Sequence, residues 1–99
     1  QVGPYTVHLE KHLVYCGSES ISLTVKEYDL LLYLAANRGH VLKRGDILDA
    51  VWGYTFYGSD RVVDDTIRRL RKKLPGIEIS TLYGLGYCLT EERHESLCD

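Results

Sequence analysis

The chain has 99 residues, 44% of them apolar, and a formal net charge of −2; this suits one compact domain with a core and is too apolar for a disordered segment. No run of 18 apolar residues occurs, so no helix of the sequence is expected to span a membrane, and the opening QVGPYTV lacks the charged and apolar regions of a signal peptide. Three cysteines (Cys16, Cys88, Cys98) and four histidines (His8, His12, His40, His94) show no metal-ligand spacing, and the odd, widely separated cysteine set argues against a disulfide scaffold. A reduced, cytoplasmic chain with no metal or other cofactor is therefore expected. It begins without methionine, which reads as a fragment or a processed product.

In YTVHLE, residues 5–10, Tyr5, Val7 and Leu9 share one face and Thr6, His8 and Glu10 the other, the period of a half-buried strand. Leu13–Tyr15 is a second apolar run, Cys16–Ser20 supplies a turn and Ile21–Leu23 a third strand, so residues 5–23 read as an antiparallel meander. Thr24-Val25-Lys26-Glu27 has the pattern of a capping box, in which the threonine oxygen accepts from a free helix amide and the glutamate reaches back. The helix it opens, 24–38, places Tyr28, Leu31, Leu32 and Ala35 on one face, widened by Leu30 and Leu34, and stops at Asn37-Arg38-Gly39. Val41-Leu42 reads as a short extended link. A second helix, 44–52, buries Ile47, Leu48, Val51 and Trp52 and ends at Gly53. Residues 54–59 form a loop rich in aromatic side chains.

The next segment, Asp60–Lys73, reads DRVVDDTIRRLRKK. As a helix over 60–74 it aligns Val63, Ile67, Leu70 and Leu74 in one apolar stripe and sets Arg61, Asp65, Arg68, Arg69 and Lys72 opposite. Residues 61–73 hold six basic residues against two acids, a local +4, which leaves −6 for the rest of the chain. Contact with phosphate depends on the local field, so the net negative charge does not exclude nucleic acid. A helix buried on one side and arginine-rich on the other fits the DNA major groove; the plainer reading is a solvated charged face. After Pro75-Gly76, IEISTL and Tyr87-Cys88-Leu89 read as a hairpin, 77–89, turning at Tyr83-Gly84-Leu85-Gly86. Residues 91–99 are charged and aperiodic, a tail beyond a domain over 1–90.

Catalysis finds no foothold in these patterns. No Gly-x-Ser-x-Gly elbow is present, and Gly84-x-Gly86 lacks the third glycine and following helix of a dinucleotide site. Asp64 and Asp65 are adjacent, so on a helix they point about 100° apart and form no acid–base pair.

Four pieces in fixed order carry a resemblance: Leu23-Thr24-x-x-Glu27, Val51-Trp52-Gly53, Ile67-Arg68-Arg69-Leu70-Arg71-Lys72 and Gly84-x-Gly86-Tyr87. Over residues 5–90 the chain resembles the effector domains of OmpR/PhoB-family response regulators. The resemblance implies an α+β winged helix-turn-helix domain of a bacterial two-component regulator of transcription, preceded by a four-stranded sheet, with 60–74 as recognition helix and 77–89 as wing. It implies DNA contacts by Arg61, Val62, Asp65, Thr66, Arg68, Arg69, Arg71 and Lys72 from the helix and by Tyr83 and Gly84 from the wing. Arg61, Arg68 and Arg71 match phosphate-binding positions, and Arg69 matches a position that reads a base. It further implies promoter DNA and RNA polymerase as partners, a phosphorylatable receiver domain upstream of Gln1, and a homodimer when activated. Tyr54, Phe56 and Tyr57 lie where the family can touch polymerase; the alternative is that they cap the core.

Two positions depart from the family's pattern. Asp65 stands where an apolar side chain is common; it either accepts from cytosine N4 or pairs with Arg68 or Arg69 and orients it. Tyr83 stands where many members carry the wing's arginine, so reading of the minor groove by charge is not expected of this wing. A winged helix that binds proteins instead of DNA is the alternative class, since fold alone does not fix function.

Overall fold

The computed structural model describes residues 2–92. Three short strands open the chain: β1 (Tyr5–His8), β2 (Leu13–Cys16) and β3 (Glu19–Ile21), in the order β1-β2-β3 and antiparallel throughout. Pairing of Cys16 with Glu19 closes a two-residue turn at Gly17-Ser18, with Gly17 at φ 65°. The third strand thus starts at residue 19, two residues before the expected Ile21–Leu23, because a left-handed glycine needs only one neighbour to reverse the chain. Among the described residues this sheet has three strands where the resemblance implied four; the segment ahead of it joins at a Val2–Tyr5 bridge.

Helix α1 (Val25–Ala36) begins as the capping box requires. The Glu27 amide donates to Thr24 Oγ1 at 3.2 Å and the Thr24 amide donates to Glu27 Oε1 at 2.9 Å. At the other end the Asn37 side chain donates to the Tyr33 carbonyl at 2.9 Å, and Gly39 turns away at φ 80°. The expected link at Val41-Leu42 is in part a strand: β4 (Leu42–Lys43) pairs with the last strand of the chain. Two residues are too few to show a period, and what makes them a strand is a free sheet edge supplied from 45 residues away. Helix α2 (Arg44–Val51) follows directly, and Lys26 Nζ donates to the Val51 carbonyl at 3.0 Å, placing a cation at the negative end of α2.

Helix α3 (Arg61–Lys73) buries the expected stripe: Val63, Ile67, Leu70 and Leu74 have at most 1% of their surface exposed. Strands β5 (Ile77–Leu82) and β6 (Gly86–Glu92) form the hairpin, and the second sheet runs β4-β6-β5. Glu91 and Glu92 belong to β6, opposite Glu78 and Ile77, so the hairpin runs three residues past its expected end at 89. An irregularity between Glu78 and Ile79 lets the pairing continue although those residues carry no apolar alternation. The rest of the expected tail, 93–99, lies outside the described residues. Tyr28, Leu30, Leu31 and Leu34 of α1 sit at the centre of one core that also takes Ile47, the α3 stripe, Ile79 and Leu89. The first sheet is tied to this core by Tyr5, whose hydroxyl accepts from the Gly76 amide at 2.8 Å. Cys88 is a buried free thiol. No helix of the described residues is long and apolar enough to cross a membrane.

Candidate nucleic-acid interface

With its stripe buried, α3 turns Arg61, Asp65, Arg68, Arg69, Arg71 and Lys72 outward. Arg68 pairs with Asp65 at 3.4 Å, one turn apart on the helix and well exposed on both sides. Of the two roles open to Asp65, the geometry matches the one in which it orients a neighbouring arginine. Such an exposed pair is worth at most about 1 kcal/mol, so a ligand can rearrange it.

Three residues of the expected contact set are engaged within the domain. Thr66 is 4% exposed, and its hydroxyl donates to the Val62 carbonyl at 2.7 Å. It therefore lies with Val63 and Ile67 on the inner side of the helix, whereas the resemblance implied a DNA contact for it. Val62 is half-buried and packs on the core edge. Arg71 reaches across to the hairpin: its Nη2 donates to the Ile79 carbonyl and, at 2.7 Å, to Thr81 Oγ1, while its guanidinium lies 5.8 Å from the centre of the Tyr87 ring. It thereby joins α3 to the wing.

The other side of that junction was not legible beforehand. Asp64 accepts from Arg44 Nη2 at 2.8 Å and from the Tyr87 hydroxyl at 2.5 Å, and Asp60 accepts from the same Arg44 nitrogen at 3.1 Å. One carboxylate thus joins the start of α2, the first turn of α3 and the wing strand β6. Burial, then the Asp64 hydrogen bond and charge, push the Tyr87 phenol up to about 12, so it remains a donor. The sequence signals were present without their geometry: Arg44 opens a helix, Asp64 is an acid of a first turn, and Tyr87 closes Gly-x-Gly-Tyr. A cleft of about 420 Å³ lies here, lined by Arg44, Asp60, Asp64 and the wing tip around Tyr83–Leu85.

Lys73, the last basic residue of α3, is also engaged. Its Nζ donates at 2.6 Å to Glu27, a carboxylate 1% exposed in the capping box of α1. Burial raises the Glu27 pKa; the Lys73 and Thr24 hydrogen bonds and the charges of Lys73 and Arg69 outweigh it and hold the group below its ordinary value.

At the wing tip Tyr83 is 93% exposed, and Gly84 takes φ 82°. The loop between α2 and α3 divides its aromatic residues. Tyr54 and Tyr57 are fully on the surface, whereas Phe56 is half-buried against Trp52, with ring centroids 6.4 Å apart, and closes over Gly58. Of the two readings for this loop, core capping suits Phe56, and an accessible contact suits the two tyrosines.

Three helices around one core, the third basic on its outer face and braced to a β-hairpin, define a winged helix-turn-helix domain. The chain belongs to the family described as "Transcriptional regulatory protein, C terminal", whose model matches residues 17–89; this is the OmpR/PhoB type, a domain of transcription regulators and not an enzyme. It is 47% identical over 87 residues to the transcriptional regulatory protein CssR of Bacillus subtilis, covering 87% of this chain and 39% of that protein. It is 53% identical over 74 residues to the transcriptional regulatory protein VxrB of Vibrio cholerae, covering 75% of this chain and 30% of that protein. The chain thus spans well under half the length of these relatives. The crystal structure of the DNA-binding domain of B. subtilis CssR superposes with a TM-score of 0.81 at 46% identity, covering 86% of this chain and 98% of that one. The DNA-binding domain of Klebsiella pneumoniae RstA in complex with the RstA box superposes at 0.78 with 33% identity, covering 91% and 94%.

Proposed function

We propose that the domain binds double-stranded promoter DNA in a sequence-specific way, as the effector part of a two-component response regulator acting in the bacterial cytoplasm. The observation that carries the reading is the outer face of α3: Arg61, Arg68, Arg69 and Lys72 project from a helix whose inner face is fixed in the core. Placed in the major groove, Arg61, Arg68 and Lys72 fix the helix on phosphates and Arg69 reads guanine O6 and N7. Asp65 holds Arg68 in place and Arg71 holds the wing, so both act on DNA mainly through a neighbour. Tyr83 and Gly84 bring the wing to the adjacent minor groove.

The full protein carries a receiver domain before this one, and its phosphorylation favours a homodimer on two half-sites; Tyr54 and Tyr57 offer RNA polymerase an accessible pair. Support for these partners is the family membership together with the exposure of the two tyrosines. Selecting bound duplexes from a random library tests the core of the proposal. A recurring motif containing guanine, lost in Arg69→Ala, is expected. A folded domain that enriches no sequence would instead favour a protein-binding winged helix.

A further inference from the structure

The wing is unusual in its charge. From Leu74 to Glu92 the chain has no lysine, arginine or histidine. The side chains that project furthest at its tip are apolar or nearly so: Tyr83 is 93% exposed and Leu85 59%, on either side of Gly84. The tip borders the cleft in which Arg44 is paired with both Asp60 and Asp64, so that cleft adds no net positive charge beside it.

The strands just behind this tip are held firmly. Arg71 bonds Ile79 and Thr81, Tyr87 bonds Asp64, and β4 pairs with β6 at Tyr87 and Gly86. The tip is therefore an apolar pair on a stiff arm that starts beside the first turn of α3. Apart from the Tyr83 hydroxyl these side chains gain little from water, and they become covered when α3 enters a major groove and the arm meets the sugar walls of the next minor groove.

We propose that Tyr83 and Leu85 form an apolar wedge that presses into the minor groove and reads the deformability of a base step in place of its charge. The inference rests on the DNA-binding reading above and adds a specificity element to it. A wedge unstacks a step, so it favours flexible pyrimidine–purine steps such as TA; an arginine instead favours the narrow, stiff groove of an A-tract.

The test uses the 99-residue domain and duplexes that keep the selected major-groove motif and vary only the wing-facing step among TA, CA, AA and GC. Affinity is read by fluorescence anisotropy and bending by energy transfer between end labels. The wild type is expected to bind TA about fivefold or more tightly than AA, within the range for one base step, and to bend it. Tyr83→Ala and Leu85→Ala should bring the TA and AA affinities together and reduce the bend, with the melting temperature unchanged. Tyr83→Arg should move the preference toward AA and steepen the salt dependence. Equal wild-type affinity for all four steps would overturn the wedge while leaving the DNA-binding reading intact. So would retention of the TA preference in both alanine variants, or a change confined to self-association. A domain that binds no duplex at all would overturn the function, and the wedge with it.

Discussion

Glu27 shows how one side chain serves two elements. Its carboxylate closes the capping box of α1 and receives Lys73 from the end of α3. Because its pKa in the folded state lies below its ordinary value, the stability it adds is in place above the unfolded-state pKa and is lost as pH falls through the folded one. Glu27→Gln is expected to cost about 1–3 kcal/mol at neutral pH, and to flatten the acid limb of a stability–pH curve measured by urea unfolding. An acid limb identical to that of the wild type would show that Glu27 is not the group responsible. Thr66 gives the opposite kind of prediction. Its hydroxyl is spent on the Val62 carbonyl inside the helix, so Thr66→Val should leave DNA affinity within error of the wild type in an anisotropy titration. A large loss would place Thr66 back among the contacts.

At the scale of elements, the wing is set against α3 by the Arg44–Asp64–Tyr87 junction and by Arg71. The hydroxyl of Tyr87 is the simplest part to remove. Tyr87→Phe should cost about 0.5–1.5 kcal/mol, the range for one hydrogen bond, and should speed amide exchange where β4 meets β6. Its pH dependence has a definite sign. A tyrosine raised from 10.0 to about 12 stabilises the fold fully below pH 10, and that contribution is lost as pH climbs toward 12. The wild type should therefore lose stability across this window more steeply than Tyr87→Phe in denaturant titrations. Parallel curves would mean that the phenol titrates normally. The α3 stripe is simpler still: it was read from spacing, since four apolar residues at intervals of four, three and four can point to only one side of a helix. The Asp64 junction was not readable in this way, because its partners lie 20 and 23 residues away along the chain.

On the whole-molecule scale, the charge is divided: +4 on residues 61–73 and −6 elsewhere. Two of the six bases in that stretch, Arg71 and Lys73, are used inside the domain. A single copy therefore brings few free cations to DNA, and tight binding is expected to need two copies on adjacent half-sites. Two domains joined by a flexible linker long enough to span the half-sites should bind about 10²–10⁴-fold more tightly than one. An anisotropy comparison on one duplex settles it; no gain from linking, with the linker shown to span the sites, would count against tandem recognition.

Local physics was enough for much of this domain. The capping box needs only residues three apart, the helix faces need only a period, and the wing turn needs only glycines between two apolar runs; each of these is encoded within a few residues and stands as read. The sequence also determined which helix is basic outside and apolar inside. Features that depend on distant partners had to wait for the tertiary structure. The strand at Leu42-Lys43 exists because β6 offers it an edge. Glu91 and Glu92 extend a strand because β5 lies opposite them. Thr66 turned inward and Arg71 toward the wing because of what packs against α3, and no residue type announces such a choice. Side-chain identity and spacing set the local propensity and the face of each element; the allocation of a cation to a strand carbonyl or to solvent is decided only when separate elements meet.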